Sequence, residues 1–99
     1  MVTSGLLIRI QPKPGQEPAL EAVLRQAMPT VESEEGTTAL FMIRISPTEY
    51  GIFNAFPDEQ SRQEHMNGHA AEALFARADL FAAAPTVEPV EIFAAKLPA

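Results

Sequence analysis

Two histidines and one asparagine are the residues of this chain whose types and positions could support chemistry. His65 and His69 stand at i and i+4, and Asn54 lies in an apolar stretch before them. An imidazole can take a proton near neutral pH, so His65 is the best candidate for a general base. An amide inside an apolar strand must find hydrogen-bond partners. Asn54 therefore either bonds a loop backbone or orients a ligand oxygen in a pocket beside His65.

The histidine spacing would suit a metal ion only on an unbroken helix. Gly68 lies between the two histidines, no cysteine is present, and Glu64 and Glu72 are expected to face solvent. We therefore expect no metal site. Without a chemical role, His65 would be a half-buried packing residue, and His69 would cap or hydrogen-bond the start of a second helical segment.

Alternating runs of apolar residues predict four strands and two helices around these side chains. The predicted strands are Leu6–Gln11, Thr37–Ser46, Tyr50–Phe56 and Val87–Leu97. The first helix starts at Pro18 and ends or kinks at Pro29. The second starts after the N-cap Asp58, breaks at Asn67-Gly68 and resumes from Ala70 to about Ala82. The order βαββαβ predicts a single ferredoxin-like α+β domain over residues 1–99, with an antiparallel sheet and two helices on one face.

The predicted strands are apolar on both faces. On the first strand, Leu6, Ile8 and Ile10 alternate with Leu7 and Arg9. Two helices can cover only one face of a sheet, and an exposed apolar face favours aggregation. We therefore expect a second copy of the chain to cover the other face, which predicts a homodimer whose sheets meet as an α+β barrel.

Composition and charge exclude several functions. Thirteen acidic residues against seven basic ones give a net charge of −6, whereas nucleic acids and anionic membranes require a basic surface. No apolar run approaches the ~20 residues of a spanning helix, and neither a signal peptide nor a disulfide framework is indicated. Phosphate-loop, dinucleotide-binding and nucleophile-elbow motifs are absent. We expect a cytoplasmic protein that binds neither nucleic acid nor membrane.

A pocket beside His65 is expected to take a small apolar or aromatic ligand, although methionine and phenylalanine at these spacings are also typical of plain core. Its predicted lining comprises Ile8, Met42, Phe56, Met66 and Leu74, with His69 as a further substrate-binding residue.

Several local patterns occur in the order found in one protein family. They are Lys13-Pro14-Gly15 before the first helix, Glu34 and Gly36 before strand two, Phe56-Pro57-Asp58, and the pair His65 and His69. From Leu6 to Leu97 the chain resembles the antibiotic biosynthesis monooxygenase domain family, small ferredoxin-like proteins that dimerise into an α+β barrel.

The resemblance implies oxidation of a phenol or quinol by O₂ with no cofactor, because the substrate anion supplies the electrons. Related members degrade haem. Family enzymes often carry an asparagine in strand one and a tryptophan near the pocket, whereas this chain has Ile8 at that strand position and no tryptophan. These differences disfavour haem degradation.

The leading hypothesis is a cofactor-independent monooxygenase-like protein acting on a small phenol or quinol. In it, His65 accepts the hydroxyl proton and Asn54 orients oxygen. The alternative is a non-catalytic dimeric ligand-binding or structural barrel. An isomerase or aldol-type enzyme on the same scaffold is neither supported nor excluded by the sequence.

Overall fold

A four-stranded antiparallel sheet covered on one face by helices forms the fold. It is seen in a computed structural model that describes residues 1–98. The strands are β1 (Ser4–Ile10), β2 (Ala39–Ser46), β3 (Glu49–Phe56) and β4 (Thr86–Glu91), and the helices are α1 (Glu17–Glu32), α2 (Glu59–Met66) and α3 (His69–Phe75). The strand order is β2-β3-β1-β4. The predicted ferredoxin-like α+β fold is confirmed, with the second predicted helix present as two.

The core lies between the sheet and the helices because alternate strand residues point toward the same face. On β1, Leu6, Ile8 and Ile10 are each at most 3% exposed. They join Leu20 and Leu24 from α1 in one apolar cluster. This side of the sheet therefore carries the cavity and the buried polar groups described below.

The prediction that Pro29 ends or kinks the first helix is wrong as to its end. Pro29 lies inside α1, which continues to Glu32. A proline in the last turn removes only one backbone donor. The next donors are satisfied, since the Ser33 N–H reaches the carbonyls of Pro29 and Thr30 at 3.2 Å. The extra turn also buries Val31 against the sheet.

The predicted helix from Ala70 to about Ala82 is too long. α3 ends at Phe75, and a short 3₁₀ helix follows at Ala78–Leu80. Long-range backbone hydrogen bonds explain the break, because the Lys13 N–H donates to the Leu80 carbonyl at 2.8 Å and the Ala82 N–H donates to the Gln11 carbonyl at 2.7 Å. Pairing with the segment after β1 replaces the helical bonds that local propensity favours.

The last strand is shorter than predicted, ending at Glu91 rather than Leu97. Glu91 pairs with Ser4, the first residue of β1, so the ladder stops where its partner strand begins. β4 is an edge strand, which accommodates the proline at position 89. No helix of residues 1–98 combines the length and the apolar character needed to cross a bilayer.

The face of the sheet opposite the helices is open and apolar. Phe41, Ile43 and Ile45 on β2 are 59%, 45% and 42% exposed. Phe41 lies beside Phe53 of β3, which in turn lies beside Leu7 of β1, so an apolar row crosses three strands. We call the set Leu7, Phe41, Ile43, Ile45 and Phe53 the open face.

Candidate active site

His65 lies near the C-terminal end of α2, and its side chain lies between the helices and the sheet. The helix begins at the predicted N-cap, where Asp58 Oδ1 accepts a hydrogen bond from the Ser61 N–H at 2.8 Å. That bond lowers the pKa of Asp58. Two turns later the His65 residue is only 7% exposed. Its ring centroid lies 5.4 Å from that of Phe56, a fully buried residue of β3.

Glu34, in the loop between α1 and β2, is the hydrogen-bond partner of His65. Its Oε1 lies 2.6 Å from Nδ1 of His65 and also accepts a hydrogen bond from the Thr37 hydroxyl at 2.8 Å. Its Oε2 lies beside the break between α2 and α3, 3.6 Å from the position that a Cβ on Gly68 would occupy. One carboxylate therefore hydrogen-bonds a loop residue and the histidine and lies near the helix break.

A cavity of about 30 Å³ lies between the helices and the sheet, and His65 forms part of its wall. Three predicted pocket residues, Ile8, Met42 and Leu74, also line it. The other lining residues are apolar side chains of α1, α3 and the sheet. His65 and three of the predicted pocket residues therefore lie around one small void.

Asn54 lies in β3 between two residues of the same face that both belong to this region. Ile52 lines the cavity and Phe56 contacts the His65 ring. Asn54 itself is fully buried and does not reach the cavity wall. Its amide nitrogen donates a long hydrogen bond, 3.4 Å, to the Leu6 carbonyl. Its Oδ1 is sealed from solvent and has no partner among the described residues.

The structure does not bring three other predicted pocket residues to the cavity wall. Phe56 lies behind the histidine ring, and Met66 is partly buried against the main core. His69 is the first residue of α3 and is exposed. The N-cap of α3 is Gly68, with no side-chain capping bond, so the expected capping role of His69 is not seen.

Glu34 is the site residue that reasoning from the sequence missed. It lies in a polar segment after the first helix, and its contact with His65 spans 31 residues. Helical or strand periodicity cannot indicate a pair of this kind. The only available signal was its place in the family-like pattern with Gly36.

A second polar cluster joins α1 to the β2–β3 hairpin, away from the cavity. Glu21 accepts hydrogen bonds from the Tyr50 hydroxyl and from the Arg44 guanidinium, and these lower the pKa of Glu21. The same carboxylate lies 3.4 Å from Arg25, one turn along α1. Because this carboxylate already has three partners, we assign the cluster a structural role in connecting α1 to the β2–β3 hairpin.

Metal coordination has no support in residues 1–98. No three histidine, aspartate or glutamate side chains of that range converge as ligands. The His65 and Glu34 pair supplies two potential donors, one fewer than a catalytic zinc site uses.

The model of the antibiotic biosynthesis monooxygenase family matches residues 3–77. The chain belongs to this family. Its match includes β1, α1, the β2–β3 hairpin and the site formed by Glu34 and His65. A search of curated proteins finds no significant match.

Solved structures agree with the assignment of the fold. A protein of unknown function from Nitrosomonas europaea is 47% identical, covers 100% of this chain and 97% of its own, and superposes with a TM-score of 0.95. A protein from Caulobacter crescentus, named as a candidate antibiotic biosynthesis monooxygenase, is 16% identical with a TM-score of 0.82, over 94% of this chain and 92% of its own. At that identity the second match shows the fold alone.

Proposed function

We propose that this protein is a cofactor-independent monooxygenase that oxidises a small phenol or quinol with O₂. The observation that carries the proposal is His65, a buried imidazole on the wall of an apolar cavity. A general base needs a nitrogen with a free lone pair and space beside it for the substrate hydroxyl. Membership in the antibiotic biosynthesis monooxygenase family supports oxygenation as the reaction class.

The reaction begins when His65 takes the hydroxyl proton of the substrate, which leaves an electron-rich phenolate. The phenolate reduces O₂. One oxygen atom forms a bond to a ring carbon, and the other leaves as water with the displaced hydrogen and the proton held by His65. A naphthol (C₁₀H₈O) and O₂ thus yield a naphthoquinone (C₁₀H₆O₂) and H₂O, with the substrate as the only reductant.

Asn54 is proposed to orient an oxygen atom in this reaction. Its Oδ1 is buried and has no partner within residues 1–98, and an unmet acceptor of this kind costs roughly 1–3 kcal/mol. A substrate hydroxyl or an ordered water would supply the missing donor. Movement of the helical layer must first open a path to it, because Asn54 does not reach the cavity wall.

The size of the cavity also requires the helical layer to move before a substrate can enter. An engineered protein cavity of about 150 Å³ holds benzene, whereas the cavity here is about 30 Å³. An aromatic ring therefore enters only if α3 moves, since Ala70, Ala71 and Leu74 of α3 form one wall. The break at Gly68 is where α3 can separate from α2.

Oxygen uptake with a panel of naphthols and anthrones tests the proposal. General-base catalysis is typically worth 10²- to 10⁴-fold, so His65→Ala should reduce uptake by roughly a hundredfold or more. His69→Ala is the matched control, because it removes the exposed histidine outside the cavity and should leave uptake unchanged. Wild-type protein that consumes no oxygen with any member of the panel would refute the proposal.

The small cavity also favours a second candidate, a non-catalytic barrel that binds a ligand or serves a structural role. A void of this size is closely surrounded by the protein's own side chains and does not by itself indicate a substrate site. This candidate predicts no oxygen uptake, with any phenol bound and released unchanged. Equilibrium dialysis followed by mass spectrometry of the released compound distinguishes the two.

We further propose that the protein is a homodimer in which the open faces of two copies pack together. The open face holds two phenylalanines and three aliphatic residues, with Phe41 more than half exposed. A second copy offers the same apolar surface, so a two-fold contact covers both at once. Light scattering should give twice the monomer mass for wild type and for Gln26→Lys, an exposed α1 control. Ile43→Lys should give the monomer mass, and a monomeric wild type would refute the dimer.

A further inference from the structure

Glu34 is the only carboxylate for which the described structure shows a hydrogen bond to a histidine ring. The 2.6 Å contact joins Glu34 Oε1 to Nδ1 of His65, whose side chain is 6% exposed, while that of Glu34 is 20% exposed. The same oxygen accepts the Thr37 hydroxyl, which fixes the carboxylate in place. This is a part-buried, directional contact between a loop residue and a helix residue that are far apart in the sequence.

The chemistry of the pair determines where the imidazole proton lies. An ionised carboxylate can only accept hydrogen bonds, so Nδ1 of His65 must be the donor. In a neutral ring, Nε2 is then the nitrogen with a free lone pair. Nε2 makes no hydrogen bond within residues 1–98, and it is not among the sealed, unpaired side-chain atoms, of which only Asn54 Oδ1 is found. Nε2 therefore keeps accessible surface.

We propose that Glu34 is a positioning residue that holds His65 in the Nδ1–H tautomer and presents Nε2 to the cavity as the proton acceptor. The catalytic consequence rests on the proposed function, whereas the tautomer does not. When Nε2 takes a proton, the positive charge of the imidazolium forms beside the negative charge of Glu34. A carboxylate held in this way stabilises the imidazolium without itself being protonated.

The position of Glu34 near the helix break has a second consequence. Its Oε2 lies close to Gly68, the N-cap of α3. The carboxylate that orients the histidine therefore also lies near the segment about which α3 must move to admit a ring. We expect loss of Glu34 to disturb the orientation of His65 more than the fold, because the residue lies in a loop and is not part of the apolar core.

Nitrogen NMR of the ¹⁵N-labelled protein tests the tautomer without any substrate, because protonated and unprotonated imidazole nitrogens have clearly different shifts. In wild type, at a pH at which the ring is neutral, we expect a protonated Nδ1 and an unprotonated Nε2 on His65. Glu34→Ala should move the proton toward Nε2, since nothing then holds it at Nδ1. Glu35→Ala, which removes a neighbouring exposed carboxylate, should leave the spectrum of His65 unchanged.

Two spectra would overturn the proposal. One is a neutral wild-type ring that carries its proton on Nε2, and this result requires no variant to fold. The other is a folded Glu34→Ala protein with the wild-type tautomer. If a phenol substrate is found, Glu34→Ala should lower kcat about tenfold or more with little change in KM, and Glu34→Asp should recover part of it. Failure of oxygen uptake alone bears on the proposed function and leaves the tautomer result standing.

Discussion

Replacing Leu74 with alanine is the sharpest test of how the cavity is built. Leu74 is 5% exposed and connects α3 to the void beside His65. The change removes about three methylene equivalents at about 0.8 kcal/mol each, or roughly 2.4 kcal/mol of transfer free energy. The enlarged void adds a cavity cost, and the total cost of a buried leucine-to-alanine change is about 2–5 kcal/mol. Because α3 is short and can partly close the gap, we expect a loss of about 3 kcal/mol.

Urea unfolding at a fixed protein concentration measures this loss, since the stability of a dimer depends on concentration. In a parallel thermal unfolding experiment, each kcal/mol of lost stability lowers the Tm of a domain of this size by about 4–8 °C, so Tm should fall by roughly 12–24 °C. Val87→Ala on the edge strand β4 is the control and should cost less than about 1 kcal/mol, because Val87 is 37% exposed.

The enlarged cavity should also gain a ligand. A naphthol at a hundredfold excess over its Kd would restore about 2.7 kcal/mol of stability to Leu74→Ala. The wild type should gain less, because its smaller cavity requires a larger movement of the helices before the ring can enter. A loss below about 1 kcal/mol for Leu74→Ala, or equal stabilisation of both proteins by the ligand, would show that α3 does not form a packed wall of this cavity.

Two further changes test the polar groups around the site. Asn54→Leu removes the unpaired Oδ1 and should stabilise the fold by about 1 kcal/mol, seen as a rise in Tm of about 4–8 °C. The same change should abolish oxygen uptake. A lower Tm would mean that Oδ1 has a partner such as ordered water. The Ser61 N–H holds the pKa of Asp58 below its ordinary value of 3.8. The ionised Asp58 carboxylate therefore contributes stability that is complete above about pH 5 and is lost as the pH falls through the folded-state value. Asp58→Asn keeps the cap but not the titration, and the stability difference between wild type and this variant should therefore shrink as acid is added; parallel pH profiles in urea would contradict this.

Local patterns in the sequence were sufficient for most of the fold. Proline and apolar alternation predicted the four strands, and the Asp58 cap and the break at Gly68 were also found as predicted. The errors arose where distant segments compete with local preference. The chain near Leu80 pairs with the segment after β1 in place of extending α3. Similarly, α1 passes through Pro29 because the following turn buries Val31.

The candidate site divides in the same way between sequence and tertiary structure. Residue type and apolar surroundings were enough to select His65 and to associate it with Ile8, Met42 and Leu74, because alternation on a strand and helical spacing determine which side chains share a face. Only the tertiary structure could pair His65 with Glu34, since that contact depends on how a loop folds back over α2. It likewise decided the size of the cavity, which depends on how closely the helices pack on the sheet and not on any local pattern.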